Sequence, residues 1–102
     1  MTSEISIIVP CIKNGKILNN SINQYLKVKS LKKIFIVIEE IDQKTKIIDE
    51  KITYITVKKG TYMSVKRNLA VHQAKTDYLA FYDSDSYPKN YNILEFSEKI
   101  FQ

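Results

Sequence analysis

Three short runs restrict what this chain can fold into. They are Ile5-Ser6-Ile7-Ile8-Val9, Ile34-Phe35-Ile36-Val37-Ile38 and Asp77-Tyr78-Leu79-Ala80-Phe81-Tyr82, each apolar on both alternating sides. A strand with one wet face alternates between apolar and polar residues, whereas a strand apolar on both faces belongs inside a sheet covered on both sides. Ile52 to Val57 alternates more, as a strand nearer an edge does. Between these runs the period lengthens. Leu18, Ile22, Tyr25 and Leu26, with Ile17 beside them, have amphipathic helical spacing. Thr61 to Lys75 predicts a second helix, with Tyr62, Val65 and Leu69 inward, His72 beside that face, and Ala70 and Ala74 allowing close packing. Lys44 to Glu50 is expected as a short helix, Pro10 as the end of the first strand, and Pro88 as the first turn of a last helix carrying Ile93, Phe96 and Ile100 inward. Strands alternating with helices imply an α/β fold, a three-layer α/β/α arrangement around a mainly parallel sheet of about four strands.

The 102 residues leave room for one domain, spanning 1–102, and none for a second. Abundant Ile, Leu, Val and Phe exclude a disordered or low-complexity chain. The single cysteine, Cys11, excludes an internal disulfide and a multi-thiolate zinc site. Met1 to Glu4 carries an acid and no base, unlike a secretory leader, and no apolar run approaches the roughly 20 residues that span a bilayer. A cytoplasmic setting without a transmembrane segment is the expectation. The formal charge of +5 and pI near 9.3 invite a polyanion reading. The lysines are scattered, however, and Arg67 is the sole arginine, the residue type that reads bases and grips phosphate bidentately. A specific nucleic-acid binder is therefore not expected.

In an open parallel sheet, ligands bind beyond the carboxyl ends of the strands. There the unusual polar residues collect: Cys11 to Asn14, then Glu39, Glu40 and Asp42, then Asp83 and Asp85. Asp83 and Asp85, one residue apart in an extended or turning segment, can present two hard oxygens to Mg²⁺ or Mn²⁺; alternatively Asp-Ser-Asp-Ser is a turn that caps the next helix. Arg67 and Asn68 precede the last run, and Arg67 is either a phosphate or base contact or a solvated helix residue. One of Glu39 and Glu40 is expected to contact a base or ribose and the other to be solvated. His72 reads as a partly buried helix residue, and Cys11 as an inert buried thiol unless a helix N-terminus activates it.

Ser6-Ile7-Ile8-Val9-Pro10, Ile36-Val37-Ile38-Glu39-Glu40, Lys66-Arg67-Asn68-Leu69-Ala70 and Asp77 through Ser86 with Pro88 together resemble, in order and spacing, the nucleotide-binding half of family 2 glycosyltransferases. The resemblance implies a Rossmann-like GT-A fold and a nucleotide-sugar donor, commonly UDP-linked, held through Mn²⁺ or Mg²⁺. It makes Asp85 a metal ligand, Asp83 a ribose or metal contact, Arg67 and Asn68 a nucleotide contact, and Pro10 the start of the base-binding loop. The chain departs from the family at Cys11-Ile12-Lys13-Asn14, where a tyrosine or arginine followed by asparagine is usual, and at Glu39-Glu40-Ile41-Asp42, where Asp-Asp-Gly-Ser is usual. Family members continue into an acceptor-binding half with the general base for inverting transfer to a hydroxyl, and this sequence stops at Gln102 without an evident catalytic base. The expectation is thus a donor-binding domain, with a partner chain or self-association covering the acceptor side. Two alternatives stand beside it: a non-catalytic nucleotide-binding or interaction module of the same fold, with exposed Phe96 and Phe101, and a basic polyanion-binding domain.

Overall fold

The computed structural model describes residues 4–85 and the strand Ser97–Glu98. In chain order the elements are β1 (Ile5–Lys13), α1 (Lys16–Tyr25), β2 (Leu31–Glu40), β3 (Ile52–Thr56), α2 (Met63–Gln73), β4 (Tyr78–Phe81) and β5 (Ser97–Glu98). They form one sheet in the order β3-β2-β1-β4-β5, with β1 to β4 parallel and β5 antiparallel to β4. The architecture is the α/β, Rossmann-like arrangement that the sequence predicts.

The unbroken apolar runs are explained by two cores, one on each face of the sheet. Ile5, Ile7 and Val9 of β1 pack with Ile34, Ile36 and Ile38 of β2 against Leu18, Ile22 and Tyr25 of α1. On the other face Ile8, Phe35, Val37 and Leu79 pack against Ala70 and Ala74, at the end of α2. Both faces of β1 are covered, so its side chains from Ile5 to Val9 are fully buried. Each such buried aliphatic side chain stabilises the fold by about 1.5–3 kcal/mol. β3 is the sheet edge, as its alternation suggests.

Several expectations are corrected. Pro10 does not end β1; the strand runs on to Lys13. Ile8 accepts a hydrogen bond from the Tyr82 N–H at 3.1 Å, so Ile8 faces β4, and by alternation so does Pro10. The β4 ladder stops at Ile8 with Phe81, so the missing proline N–H deprives no partner. Residues 44–50 are not a helix but part of a loop. It is pinned by the Tyr54 hydroxyl, which donates to the Ile47 carbonyl at 2.6 Å, and by the Asn19 amide, which donates to that of Thr45 at 2.8 Å.

α2 is rotated relative to its expected face. Tyr62, Val65 and Leu69 are exposed, as is His72, while Lys66 and Ala70 are buried. Ile17 is exposed on α1. The expected last helix, with Pro88, Ile93, Phe96 and Ile100, lies outside the described residues, as do Ser86 and Phe101, but at Ser97–Glu98 the chain is a strand instead. No helix among the described residues is long and apolar enough to cross a membrane.

Candidate functional site

The chain lays down β1, β2 and β3 in one direction across the sheet and then returns to the other side of β1 with β4. Strand order thus reverses between β1 and β4, which opens a crevice above their carboxyl ends. A solvent-open cavity of about 720 Å³ lies there. Its walls are the end of β1 from Pro10, the turn into α1 as far as Leu18, Met63 of α2, and Asp83 to Asp85 beyond β4. Pro10, Asp83 and Asp85 are therefore brought together. Lys13 and Lys16 line the same space, beside an α1 N-terminus that has no acid in its first turn and no side-chain cap.

The acidic wall is held from below by α1. Tyr25 is fully buried, stacks on Tyr82 with ring centroids 5.7 Å apart, and donates its hydroxyl to the Asp83 carbonyl at 3.3 Å. Burial drives the Tyr25 phenol well above its ordinary range, so it stays protonated as a donor. With the backbone at Asp83 tethered, both carboxyl-bearing residues are exposed at the cavity wall. Among the described residues no group of three or more metal-ligating side chains exists. Two hard carboxylates are nonetheless a donor set that suits Mg²⁺ or Mn²⁺, which take one or two carboxylates and fill the octahedron with water and phosphate oxygens.

The β1 wall is fixed by Asn14. Its amide donates to the Asp42 carbonyl at 3.0 Å and the Thr45 hydroxyl at 3.2 Å, and its Oδ1 accepts from the Asp42 N–H at 2.6 Å. Asn14 thereby ties the cavity rim to the β2–β3 connection. Cys11, also on the rim, is a buried free thiol pushed up to about 11 by burial, with Lys66 opposing and Glu39 reinforcing the shift. That environment keeps it protonated and inert near neutral pH, as the sequence suggests.

Glu39, Glu40, Arg67 and Asn68 do not line this cavity. Glu40 is exposed at the end of β2. Arg67 and Asn68 are exposed on α2, with the Arg67 guanidinium 6.0 Å from the centre of the Phe81 ring. Glu39 is engaged by the protein itself. Its Oε2 accepts from the Lys66 ammonium at 2.7 Å and its Oε1 from the Gly60 N–H at 2.9 Å. The Lys66 bond, then that from Gly60, holds the Glu39 carboxyl below the usual carboxylate range.

Tyr25, Asn14 and Lys66 are the supporting residues that sequence reasoning missed as such. Tyr25 fits a core position so well that nothing marks its hydroxyl. Asn14 stands in a loop where polarity is the rule. Lys66 carried a signal, because a lysine at the spacing of Ala70 and Ala74 shares their helix face.

The model for glycosyl transferase family 2 matches residues 6–102. A crystal structure of S. aureus TarS 1–349 superposes with a TM-score of 0.66 at 20% identity, covering 82% of this chain and 28% of that one. A second crystal structure of S. aureus TarS gives 0.62 at 26% identity, covering 90% of this chain and 18% of that one. The chain thus spans less than a third of either structure's length. No curated protein sequence matches.

Proposed function

The chain belongs to glycosyl transferase family 2, and from that premise we propose that it binds a nucleoside-diphosphate sugar, UDP-linked, in the crevice between β1 and β4, for glycosyl transfer to an acceptor hydroxyl. The observation that carries this reading is the meeting of Pro10, Lys13, Lys16, Asp83 and Asp85 around one cavity at the reversal of strand order. In it Asp83 and Asp85 supply the hard oxygens for Mn²⁺ or Mg²⁺. A divalent cation bound there would offset the charge of a departing diphosphate. Lys13 and Lys16 add positive charge to the same cavity, where the uncapped N–H groups of α1 also suit an anion. Pro10, with its fixed φ, shapes the rim. Arg67 and Asn68, outside the cavity wall, are proposed to contact the nucleotide. The base that takes the acceptor proton is not assigned to any described residue.

Calorimetry with UDP and Mn²⁺ tests the reading. Saturable heat that disappears without metal and in Asp85→Ala is expected; no heat from the unaltered chain overturns it. Donor hydrolysis or transfer, assayed separately, distinguishes an enzyme from a nucleotide-binding module of the same fold. A polyanion binder would instead lose affinity steeply with salt and be indifferent to Asp85.

A further inference from the structure

A second cleft, of about 240 Å³, opens at the other end of the sheet, beside the first residues of β1, β2 and β3. α2 stops at Gln73, so the helix that covers Ile8, Val37 and Leu79 leaves this stretch of the same face open. Phe35 gives the cleft an apolar wall, and the buried Ser6 and Thr76 give it a polar one, their hydroxyl oxygens 2.8 Å apart. Three ammonium-bearing side chains, Lys32, Lys33 and Lys75, line the same space.

An irregularity in the backbone brings two of them there. Consecutive side chains of a regular strand point to opposite faces. Ile5 pairs with Leu31 but Ser6 pairs with Lys33, so Lys32 is an extra residue in β2. Leu31 and Ile34 consequently pack in one core although three positions apart, and the adjacent Lys32 and Lys33 share the cleft. The protein leaves most of this charge unanswered. Lys33 donates to a neutral group, the Glu50 carbonyl, at 3.2 Å. Lys32 meets Glu4 at 3.8 Å, but the two side chains are 60% and 49% exposed, where an ion pair contributes little. The Lys75 ammonium and the hydroxyl of Thr53, which also lines the cleft, have no partner among the described residues. The carboxyl end of α2 accounts for one cation at most, since its dipole amounts to about half an elementary charge.

We infer that this cleft is a binding site for a phosphate group, either the free ion or a small phosphomonoester. Several ammonium groups and a hydroxyl around one pocket suit a compact, multiply charged oxyanion. The volume lies below the roughly 300–1,000 Å³ of a site for a drug-sized ligand, which favours a small one. Because the cleft lies at the amino ends of the strands, away from Asp83 and Asp85, the inference stands apart from the nucleotide-binding reading.

Amide NMR of the full chain, with inorganic phosphate or methyl phosphate added at constant ionic strength, tests it. Saturable shifts at residues 6, 32, 33, 53, 75 and 76, without shifts at 83–85, are expected. Tighter binding of methyl phosphate supports the site with an ester as its ligand, and tighter binding of inorganic phosphate supports it with the free ion. Lys33→Gln and Lys75→Gln should each weaken binding by about tenfold or more, whereas Lys58→Gln, which removes the same charge outside the cleft, should leave it unchanged. Lys75 is exposed, so Lys75→Gln should keep the fold and bind UDP with Mn²⁺ as the unaltered chain does. The absence of saturable shifts with both compounds overturns the inference, and so do shifts centred on 83–85. An equal loss in all three lysine variants overturns it too, because that is the response of a diffuse polyanion-binding surface.

Discussion

Burial moves the Cys11 thiol from an ordinary 9.0 up to about 11, and that shift has a definite sign for stability. Between those values the folded chain keeps a proton that the unfolded chain releases, so stability is full below about pH 9 and falls as pH rises towards 11. Two units correspond to about 2–3 kcal/mol. Urea unfolding midpoints from pH 7 to 11 check this: they should fall with pH, and fall less in Cys11→Ala. Tyr25, also raised by burial, adds to the loss at the alkaline end. Glu39 acts in the opposite direction. Its lowered carboxyl contributes stability that is present above its ordinary 4.5 and is lost as pH falls through its folded value. At this scale the inert character of Cys11 was legible, because an apolar strand end implies burial. The roles of Glu39 and Lys66 were not, since they depend on a contact between residues 27 positions apart.

The existence of β1 to β4, α1 and α2 followed from period, whereas the helix expected at 44–50, the strand at Ser97–Glu98 and the facing of α2 did not. Tyr62, Val65 and Leu69 form the larger apolar stripe, yet α2 turns Ala70 and Lys66 to the sheet. Small residues let the helix backbone approach Ile8 and Leu79, and the long lysine stem runs beneath it to an acid at the end of β2. A reading weighted by side-chain size misses that solution. The connection into β2 provides a test of local strain. Ser30, the residue after the α1 turn, has φ 63°, a conformation that glycine adopts without steric cost, while its carbonyl accepts from the Ile5 N–H at 2.9 Å. Ser30→Gly keeps that backbone bond and should stabilise the chain by about 0.5–1 kcal/mol in thermal unfolding. Gly60, at φ 84° with open space where a Cβ would stand, should do the reverse: Gly60→Ala costs about 1 kcal/mol through backbone conformation alone.

For the molecule as a whole, the decisive property is the order of strands, which no local pattern encodes. The sequence marked three polar strand ends, and the fold separates them: the ends of β1 and β4 flank the reversal point, whereas the end of β2 lies one strand away and is closed by Lys66. That separation explains why Asp83, Asp85 and Pro10 share a cavity while Glu39 and Glu40 do not. It also links the ligand to global stability, because the cavity walls come from β1, α1, α2 and the segment after β4, which come together only in the folded chain. A ligand bound only to the folded state at about 100 times its Kd stabilises by about 2.7 kcal/mol, and for a chain near this size each kcal/mol raises the Tm by about 4–8 °C. UDP with Mn²⁺ should therefore raise the melting temperature by about 10 °C or more at that saturation. In the proposed site Asp83 and Asp85 offer only acceptor oxygens, which would meet phosphate through a cation, so UDP with a chelator should give a much smaller shift, and Asp85→Ala should melt with UDP and Mn²⁺ close to where it melts alone. An equal shift in Asp85→Ala, or one in the unaltered chain that does not depend on the metal, would move the binding determinant from the acidic wall to Lys13 and Lys16, which line the same cavity.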